Sequence, residues 1–231
     1  MATIQDDQQV PVVPDDSKSR LKESYDAIAP TYNDWNVEQT SVRIEYLEKI
    51  LERLHTSTSS EQKLHVLELG CGCGVPVSER LLMVPGISVT ANDMSSTQIK
   101  LAKENLAKYG TDRISFIEGD MMSLEFLDGS FDAIVGMYSL IHLPREEQSE
   151  MIRRIAKWLK PGGFLLVNFT SKNLPGLVME NWLHEKGWMY WSGWGAEGTL
   201  DKIKEAGLET IEKDEIKDDD DVTFLWVMAK K

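Results

Sequence analysis

The residues best equipped for chemistry in this chain are one run of glycines and four polar side chains spread far apart. Leu64 to Gly74 reads Leu-His-Val-Leu-Glu-Leu-Gly-Cys-Gly-Cys-Gly. Its apolar run, Val66 to Leu69, predicts a buried strand that breaks into a turn at Gly70, Gly72 and Gly74, where the backbone needs freedom that a Cβ forbids. Val75 to Met83 reads as the following helix, with Pro76 in its first turn, where no amide donor is needed. Such a unit offers bare amides and a helix N-terminus to a ligand. A dinucleotide fingerprint requires G-x-G-x-x-G, but the third glycine falls one residue early and Val75 stands in its place. The only cysteines, Cys71 and Cys73, lie inside this loop, so the sequence supports neither a disulfide framework nor a zinc site.

The polar residues are Glu68, Asp93, Asp120 and His142. Each falls at or just beyond the C-terminal end of an expected strand. Ile87 to Ala91 reads as a second strand, Ile114 to Ile117 as a third, Phe131 to Met137 as a fourth and Phe164 to Phe169 as a fifth. Between them run helical stretches: Ser95 caps one through Tyr109, stopped by Gly110, and Pro144 begins another that reaches Leu159. Alternation of this kind predicts an α/β fold with a mainly parallel sheet and helices on both faces. Ligands of such sheets sit beyond the strands' C-terminal ends, where strand order reverses. The four side chains therefore point to one site.

Ahead of the first strand, Thr40 to His55 has a helical apolar stripe, whereas Pro30 is expected to end whatever helix precedes it. After the fifth strand, Ser171 to Gly195 reads as an irregular span holding Trp182, Trp188, Tyr190, Trp191 and Trp194. Ala196 to Ala206 is helical. Leu208 to Ile216 and Val222 to Met228 read as a closing pair of strands around the acidic turn Lys217 to Asp221.

The 231 residues fit one domain, with 42% hydrophobic residues and no apolar run long enough to span a membrane. The net charge of −13 disfavours nucleic acid as substrate, since phosphate backbones are bound largely through Lys and Arg. Residues 1–19 are polar, lack the features of a signal peptide and read as a disordered tail, which predicts a cytoplasmic protein.

The run E-x-G-x-G-x-G, Glu68 to Gly74, resembles the first motif of class I S-adenosylmethionine-dependent methyltransferases, and the later motifs follow in order. The resemblance covers Tyr25 to Ala229. Phe131-Asp-Ala-Ile-Val135 with Met137-Tyr138 resembles the family's fourth-strand motif, and Leu159-Lys-Pro-Gly-Gly163 the turn before its fifth strand. Tyr25-Asp-Ala-Ile-Ala-Pro-Thr-Tyr32 looks like the N-terminal segment of the small-molecule members, the type 11/25-like branch, which folds over the cofactor. The resemblance implies a Rossmann-like three-layer sandwich with a seven-stranded sheet and an antiparallel last strand. It implies one methyltransferase domain over 20–231, with a helical lid at 20–60 and an aromatic substrate cover at 171–195. By the same resemblance, S-adenosylmethionine is the cofactor and S-adenosylhomocysteine the product. Gly70, Gly72 and Gly74 would approach its methionine part, Asp93 would take the ribose hydroxyls, and Glu68, Cys71 and Met94 would also contact the cofactor. Asp120 would take the adenine amino group, Met121 would wall the ring, and Met137 and Tyr138 would lie near the methionine carboxylate or the sulfonium. Tyr25 and Tyr32 would close over it.

Methyl transfer needs an in-line nucleophile and little else, apart from a base when the acceptor is a hydroxyl. His142, near the end of the fourth strand, is the candidate base, and the same run would equally hold it as a structural histidine behind the pocket. His184 is a second candidate. Trp35, His142, Trp182, Tyr190 and Trp191 are the expected substrate contacts, since aromatic faces suit apolar or conjugated acceptors; a satellite hydrophobic cluster is the competing reading. The sequence thus reads as a methyltransferase that acts on an O, N or S atom of a small molecule, without nucleic acid, membrane or metal, as a monomer or homodimer. The alternative is a non-catalytic binder of the same cofactor, either a regulator or a partner subunit.

Overall fold

The computed structural model describes residues 13–38, 40–57, 63–218 and 222–231. Seven strands form the main sheet: β1 Leu64–Leu69, β2 Ile87–Asp93, β3 Ile114–Glu118, β4 Phe131–Gly136, β5 Leu159–Thr170, β8 Glu209–Lys217 and β9 Thr223–Lys230. Their order is β3-β2-β1-β4-β5-β9-β8. The first five pair in parallel, β9 pairs antiparallel with β5, and β8 pairs antiparallel with β9. The single reversed strand is the last, β9, inserted beside the fifth. All six residues of β4 are buried, as expected of a central strand covered on both faces.

Helices flank the sheet. α2 (Thr40–Ser57) packs on β5 and on the short α3 (Val77–Leu82), while α5 (Arg145–Trp158) packs on β5 and on α6 (Gly195–Glu205). The stripe Tyr46, Leu47, Ile50, Leu51 and Leu54 of α2 is buried in the main core. α4 (Ser96–Asn105) is capped by Ser95, whose Oγ accepts from Gln98 N. Among the described residues no helix is long and apolar enough to cross a membrane.

Two expectations fail at the cover of the sheet. α1 runs Ser17–Glu38 straight through Pro30. Pro30 is exposed while Ile28 and Ala29 are buried; packing of the inner face outweighs the ~3 kcal/mol that an interior proline costs. The helix also begins within the stretch read as a tail, whose residues 1–12 lie outside the described ones. The span 171–195 is not irregular: β6 (Asn173–Glu180) and β7 (Trp188–Trp194) form an antiparallel hairpin. Pro175 and Gly176 disguise β6 as a turn, and the pairing shifts register around them, between Leu174 and Leu177. Smaller differences occur at α3, where Pro76 is the N-cap rather than a first-turn residue, and in the acidic turn, where 219–221 lie outside the described residues.

α1 and the hairpin cover the C-terminal ends of the strands together. Leu21 and Ile28 of α1 bury a second, smaller core with Trp188, Met189 and Tyr190 of β7. Trp188 N donates to Ser24 Oγ at 2.8 Å, and the Arg20 guanidinium lies 4.4 Å from the Trp188 ring centre.

Candidate functional site

Strand order reverses between β1 and β4, and the glycine loop leaves β1 at that point. Gly70 (φ +74) lies so close to Ser139 that a Cβ on it would overlap the Ser139 side chain, whose Oγ donates to Leu69 O at 2.6 Å. Gly74 (φ +78) has no room either: a Cβ would come within 2.6 Å of Leu106 Cδ1. Gly72 differs, because a Cβ there would meet nothing within 4 Å. It faces open space in the slot, the form of cradle that a closely held ligand fills.

That slot is lined by Gly70, Gly72, Asp93, Met94, Asp120, Met121, Met137, Tyr138 and His142, and by Tyr25 and Tyr32 from α1. Asp93 fixes the loop: Oδ2 accepts from Gly72 N and Oδ1 from Ser95 N, each at 2.8 Å. Each oxygen keeps a further lone pair for a ligand hydroxyl. Burial pushes the Asp93 carboxyl up from its ordinary value, against the pull of these amides. Gln98, 1% exposed, lines the slot with its Oε1 unpartnered. Asp120 accepts from Met122 N at 2.9 Å and from Lys18 Nζ of α1 at 2.7 Å. The slot encloses about 80 Å³, short of the ~300 Å³ at which ligand pockets begin, because Lys18, Leu21 and Tyr25 reach into it. α1 thus covers the slot.

Glu68 lies below the glycine loop in a niche with Cys71, Gly70, Gly72 and Met137. Ser78 Oγ donates to its Oε2. Burial pushes the Glu68 carboxyl up to about 8, so it is mostly protonated at neutral pH. A carboxyl raised in the fold binds its proton where the unfolded chain has released it, so its contribution to stability falls as pH rises from about 4.5 to about 8, by ~1.4 kcal/mol per unit at most. Glu68→Gln is expected to remove this slope. Urea titrations at pH 5 and pH 8 should show a smaller loss of stability in the variant than in the parent.

A second cavity, of about 480 Å³, opens beyond the slot under the hairpin. Its lining includes Trp35, Trp182 and Trp191 together with Ile141, Leu174, Leu177 and Phe224. The rings form a continuous cluster: Tyr32 to Trp35 6.0 Å, Trp35 to Trp182 5.5 Å and Trp182 to Trp191 5.7 Å between centroids. Tyr25, Tyr32, Tyr138 and His142 line both spaces. They form the boundary between slot and cavity.

His142 sits on that boundary. Its Nδ1 is 2.9 Å from Tyr190 O and its Nε2 2.9 Å from Tyr25 Oη. A carbonyl oxygen only accepts, so Nδ1 carries the hydrogen and Nε2 is left as acceptor for the Tyr25 hydroxyl. Burial pushes the imidazole down to about 4, opposed by the Tyr190 bond, so it is neutral at physiological pH. Tyr138 stands in the left-handed region (φ 56), and its N–H donates to Asn168 Oδ1 at 2.6 Å. A non-glycine residue in that conformation is strained and persists only when its surroundings enforce it.

Two residues of the expected set are placed elsewhere. Gly74 packs behind the loop against Leu106 and lines none of the spaces, and the Tyr190 ring is buried in the α1–hairpin core, offering only its carbonyl. His184 lies exposed at the hairpin turn, where its Nδ1 accepts from Lys186 N. Lys18, Gln98 and Arg43 line the spaces without having been expected there. Among the described residues no group of His, Cys, Asp and Glu could hold a metal ion.

Residues 66–163 match the family model described as "Methyltransferase domain". The match starts in β1 and ends at Gly163 within β5, so it contains the glycine loop, Asp93, Asp120 and His142. The matched stretch is similar to a methyltransferase domain and supports the class I S-adenosylmethionine-dependent methyltransferase reading. The chain is 36% identical over 121 residues to Methyltransferase GfsG of Streptomyces halstedii, a match that covers 52% of this chain and 41% of that protein. The chain spans less than half the length of the curated relatives that head its matches. Among solved structures it resembles a Burkholderia thailandensis 1,6-didemethyltoxoflavin-N1-methyltransferase with bound 1,6-didemethyltoxoflavin and S-adenosylhomocysteine (TM-score 0.72, 16% identity, 95% of this chain and 91% of that one). It also resembles the [4+2]-cyclase SpnF (TM-score 0.70, 20% identity, 93% and 96%). At these identities the structural likeness shows the fold alone. The methyltransferase family's cofactor is S-adenosylmethionine, and the open face of Gly72, the spare acceptors of Asp93 and the unpartnered Gln98 Oε1 suit a ribose and its neighbouring groups.

Proposed function

We propose that this chain transfers a methyl group from S-adenosylmethionine to a small, largely apolar acceptor held in the aromatic cavity. The observation that carries this reading is the shared boundary: the slot at the glycine loop meets the 480 Å³ cavity at Tyr25, Tyr32, Tyr138 and His142. S-adenosylmethionine supplies an electron-poor methyl carbon on sulfur. The chain's own contribution is placement and exclusion of water. Gly72 and Asp93 hold the nucleoside end, Asp120 and Met121 its base, and Trp35, Trp182 and Trp191 the acceptor. For a hydroxyl acceptor His142 receives the proton at Nε2, the nitrogen that Tyr25 now occupies. Its Nδ1–H stays on Tyr190 O and fixes the ring. Tyr25 must therefore give up its bond to Nε2 as the acceptor arrives.

GfsG, named as a methyltransferase, supports methyl transfer, and the toxoflavin enzyme, a methyltransferase with 1,6-didemethyltoxoflavin bound, supports a small molecule as acceptor. The cyclase of the same fold keeps the non-transferring reading in view, a cofactor-binding protein that uses the cavity otherwise. Release of S-adenosylhomocysteine separates the two. Incubating the chain with S-adenosylmethionine and a panel of conjugated phenols, amines and thiols should yield S-adenosylhomocysteine in step with a methylated product for at least one of them. Cofactor binding with no product across the panel would favour the non-transferring reading.

A further inference from the structure

Large apolar side chains are exposed at six positions among the described residues: Met83, Leu127, Leu177, Val178, Met179 and Val222. Met83 and Leu127 stand singly ahead of β2 and β4, as scattered surface residues do. The others gather at the 480 Å³ cavity. Leu177, Met179 and Val222 line it and are nonetheless 42%, 41% and 44% exposed. A side chain that lines a cavity and also faces water stands at the mouth. Val178, between the first two, projects from the other face of β6.

The lining is graded from one end to the other. Tyr25, Tyr32, Tyr138 and His142 bring their polar atoms to the inner end, where the cavity meets the slot. The outer end is an apolar lip. In the hairpin register Leu177 lies opposite Trp191, and cross-strand partners share a face. The aromatic wall therefore continues outward through Leu177 and Met179 instead of stopping at Trp191. Asp218, the one carboxylate of the lining, is engaged locally: its Oδ1 accepts from Val222 N at 2.8 Å and pins Val222 at the rim.

Apolar area held in water contributes nothing to the fold, whereas covering it is favourable. A ring system enclosed by the three tryptophans would leave the lip wet. We propose that the acceptor is an amphiphile: its polar, methyl-accepting head lies at the slot boundary, and its apolar tail leaves the cavity over Leu177, Met179 and Val222. This rests on the cavity being the acceptor site. A second copy of the chain or a lipid surface would also cover exposed apolar residues. The tail is favoured because the lip is continuous with the cavity wall while Val178 turns away from it.

Binding to the full chain tests this without requiring transfer. Quenching of tryptophan fluorescence would follow 2-naphthol and its 6-alkoxy derivatives, with tails up to octyl, below their aggregation limits. Each methylene laid on the lip is half buried and should tighten binding by ~2-fold, so that an octyl tail gains ~10²-fold over 2-naphthol. A tail of equal length built from ethylene oxide units should gain nothing. In Leu177→Thr/Met179→Thr, which suits an exposed strand, the octyl gain should fall below ~10-fold, and Val222→Thr should reduce it as well. Should the variants misfold, the comparison of octyl with ethylene oxide tails on the wild-type chain still decides. Equal affinity for those two tails, or an undiminished octyl gain in folded variants, would overturn the proposal. So would a wild-type chain that sediments as a dimer, or pellets with phosphatidylcholine vesicles, when the double variant does neither; the lip would then belong to a second copy or to a lipid surface. If no naphthol binds, tailed or not, the acceptor cavity falls together with the lip. Tailed naphthols that bind as expected but are never methylated would support the lip and count against the proposed transfer.

Discussion

Asp93→Asn is expected to weaken S-adenosylhomocysteine binding by ~10²-fold or more while the chain stays folded. Asp93 uses both carboxylate oxygens on the protein, Oδ2 on Gly72 N and Oδ1 on Ser95 N. An asparagine keeps one acceptor and turns an NH₂ toward either Gly72 or Ser95, so one amide faces a donor and the loop loses its tie to β2. At the same time one acceptor for the ribose becomes a donor. Charge-assisted hydrogen bonds contribute ~1.5–3 kcal/mol each, and two altered contacts of that kind give ~10² to 10⁴ in affinity. Because the loss lies at the nucleoside end, 5′-methylthioadenosine, the same nucleoside without the amino-acid end, should suffer as much as S-adenosylhomocysteine. Calorimetry alongside thermal unfolding checks both halves. A variant that binds within a few-fold of the parent would remove Asp93 from the cofactor site.

The second large effect is at His142. His142→Ala should lower the rate of methylation of a hydroxyl acceptor by ~10²-fold or more and leave cofactor affinity within about two-fold. The pH dependence follows from the state of the ring. Held down to about 4 by burial, the imidazole is the free base at every pH above about 5, so the rate should be flat in that group from pH 5 to 8 and fall as pH drops through 4. Stability carries the matching sign. A folded value below the ordinary 6.5 means that acidification from 6.5 through 4 protonates the unfolded chain first and erodes stability. In His142→Ala that portion of the acid sensitivity should disappear. An unchanged rate would make His142 a structural residue that fixes the hairpin through Tyr190 O.

The central frame of the site could be read from the sequence because it is local. The strand ending in alternate glycines, the acidic residues at the ends of β2 and β3, and His142 after β4 each follow from a short segment plus the rule that parallel sheets bind ligands at one edge. The cover was harder, because long-range packing decides it. Pro30 signalled a helix end, but a core shared with Trp188, Met189 and Tyr190 carries α1 past it. The span 171–195 read as irregular, but it holds a hairpin whose pairing shifts register around Pro175 and Gly176. Tyr190 read as one more aromatic wall; β7 instead turns its ring into the α1 core and leaves the carbonyl to His142.

Arg43 went unnoticed because an arginine on an amphipathic helix ordinarily faces water. The signal was nonetheless present: Arg43 stands three, four, seven and eleven residues before Tyr46, Leu47, Ile50 and Leu54, all buried, so it shares their stripe. Lys18 gave no such signal, since its partners Asp120 and Glu147 are distant in sequence.

If the chain transfers methyl as proposed, the reacting sulfur comes to rest where the slot meets the aromatic cavity. A crystal structure of the chain with S-adenosylhomocysteine tests it most directly. The ribose should lie on Asp93, the adenine beside Asp120 with Lys18 displaced, and the sulfur on the boundary formed by Tyr25, Tyr138 and His142, facing the cavity of Trp35, Trp182 and Trp191. A sulfur turned away from that cavity, or a nucleoside bound outside the glycine loop, would contradict it.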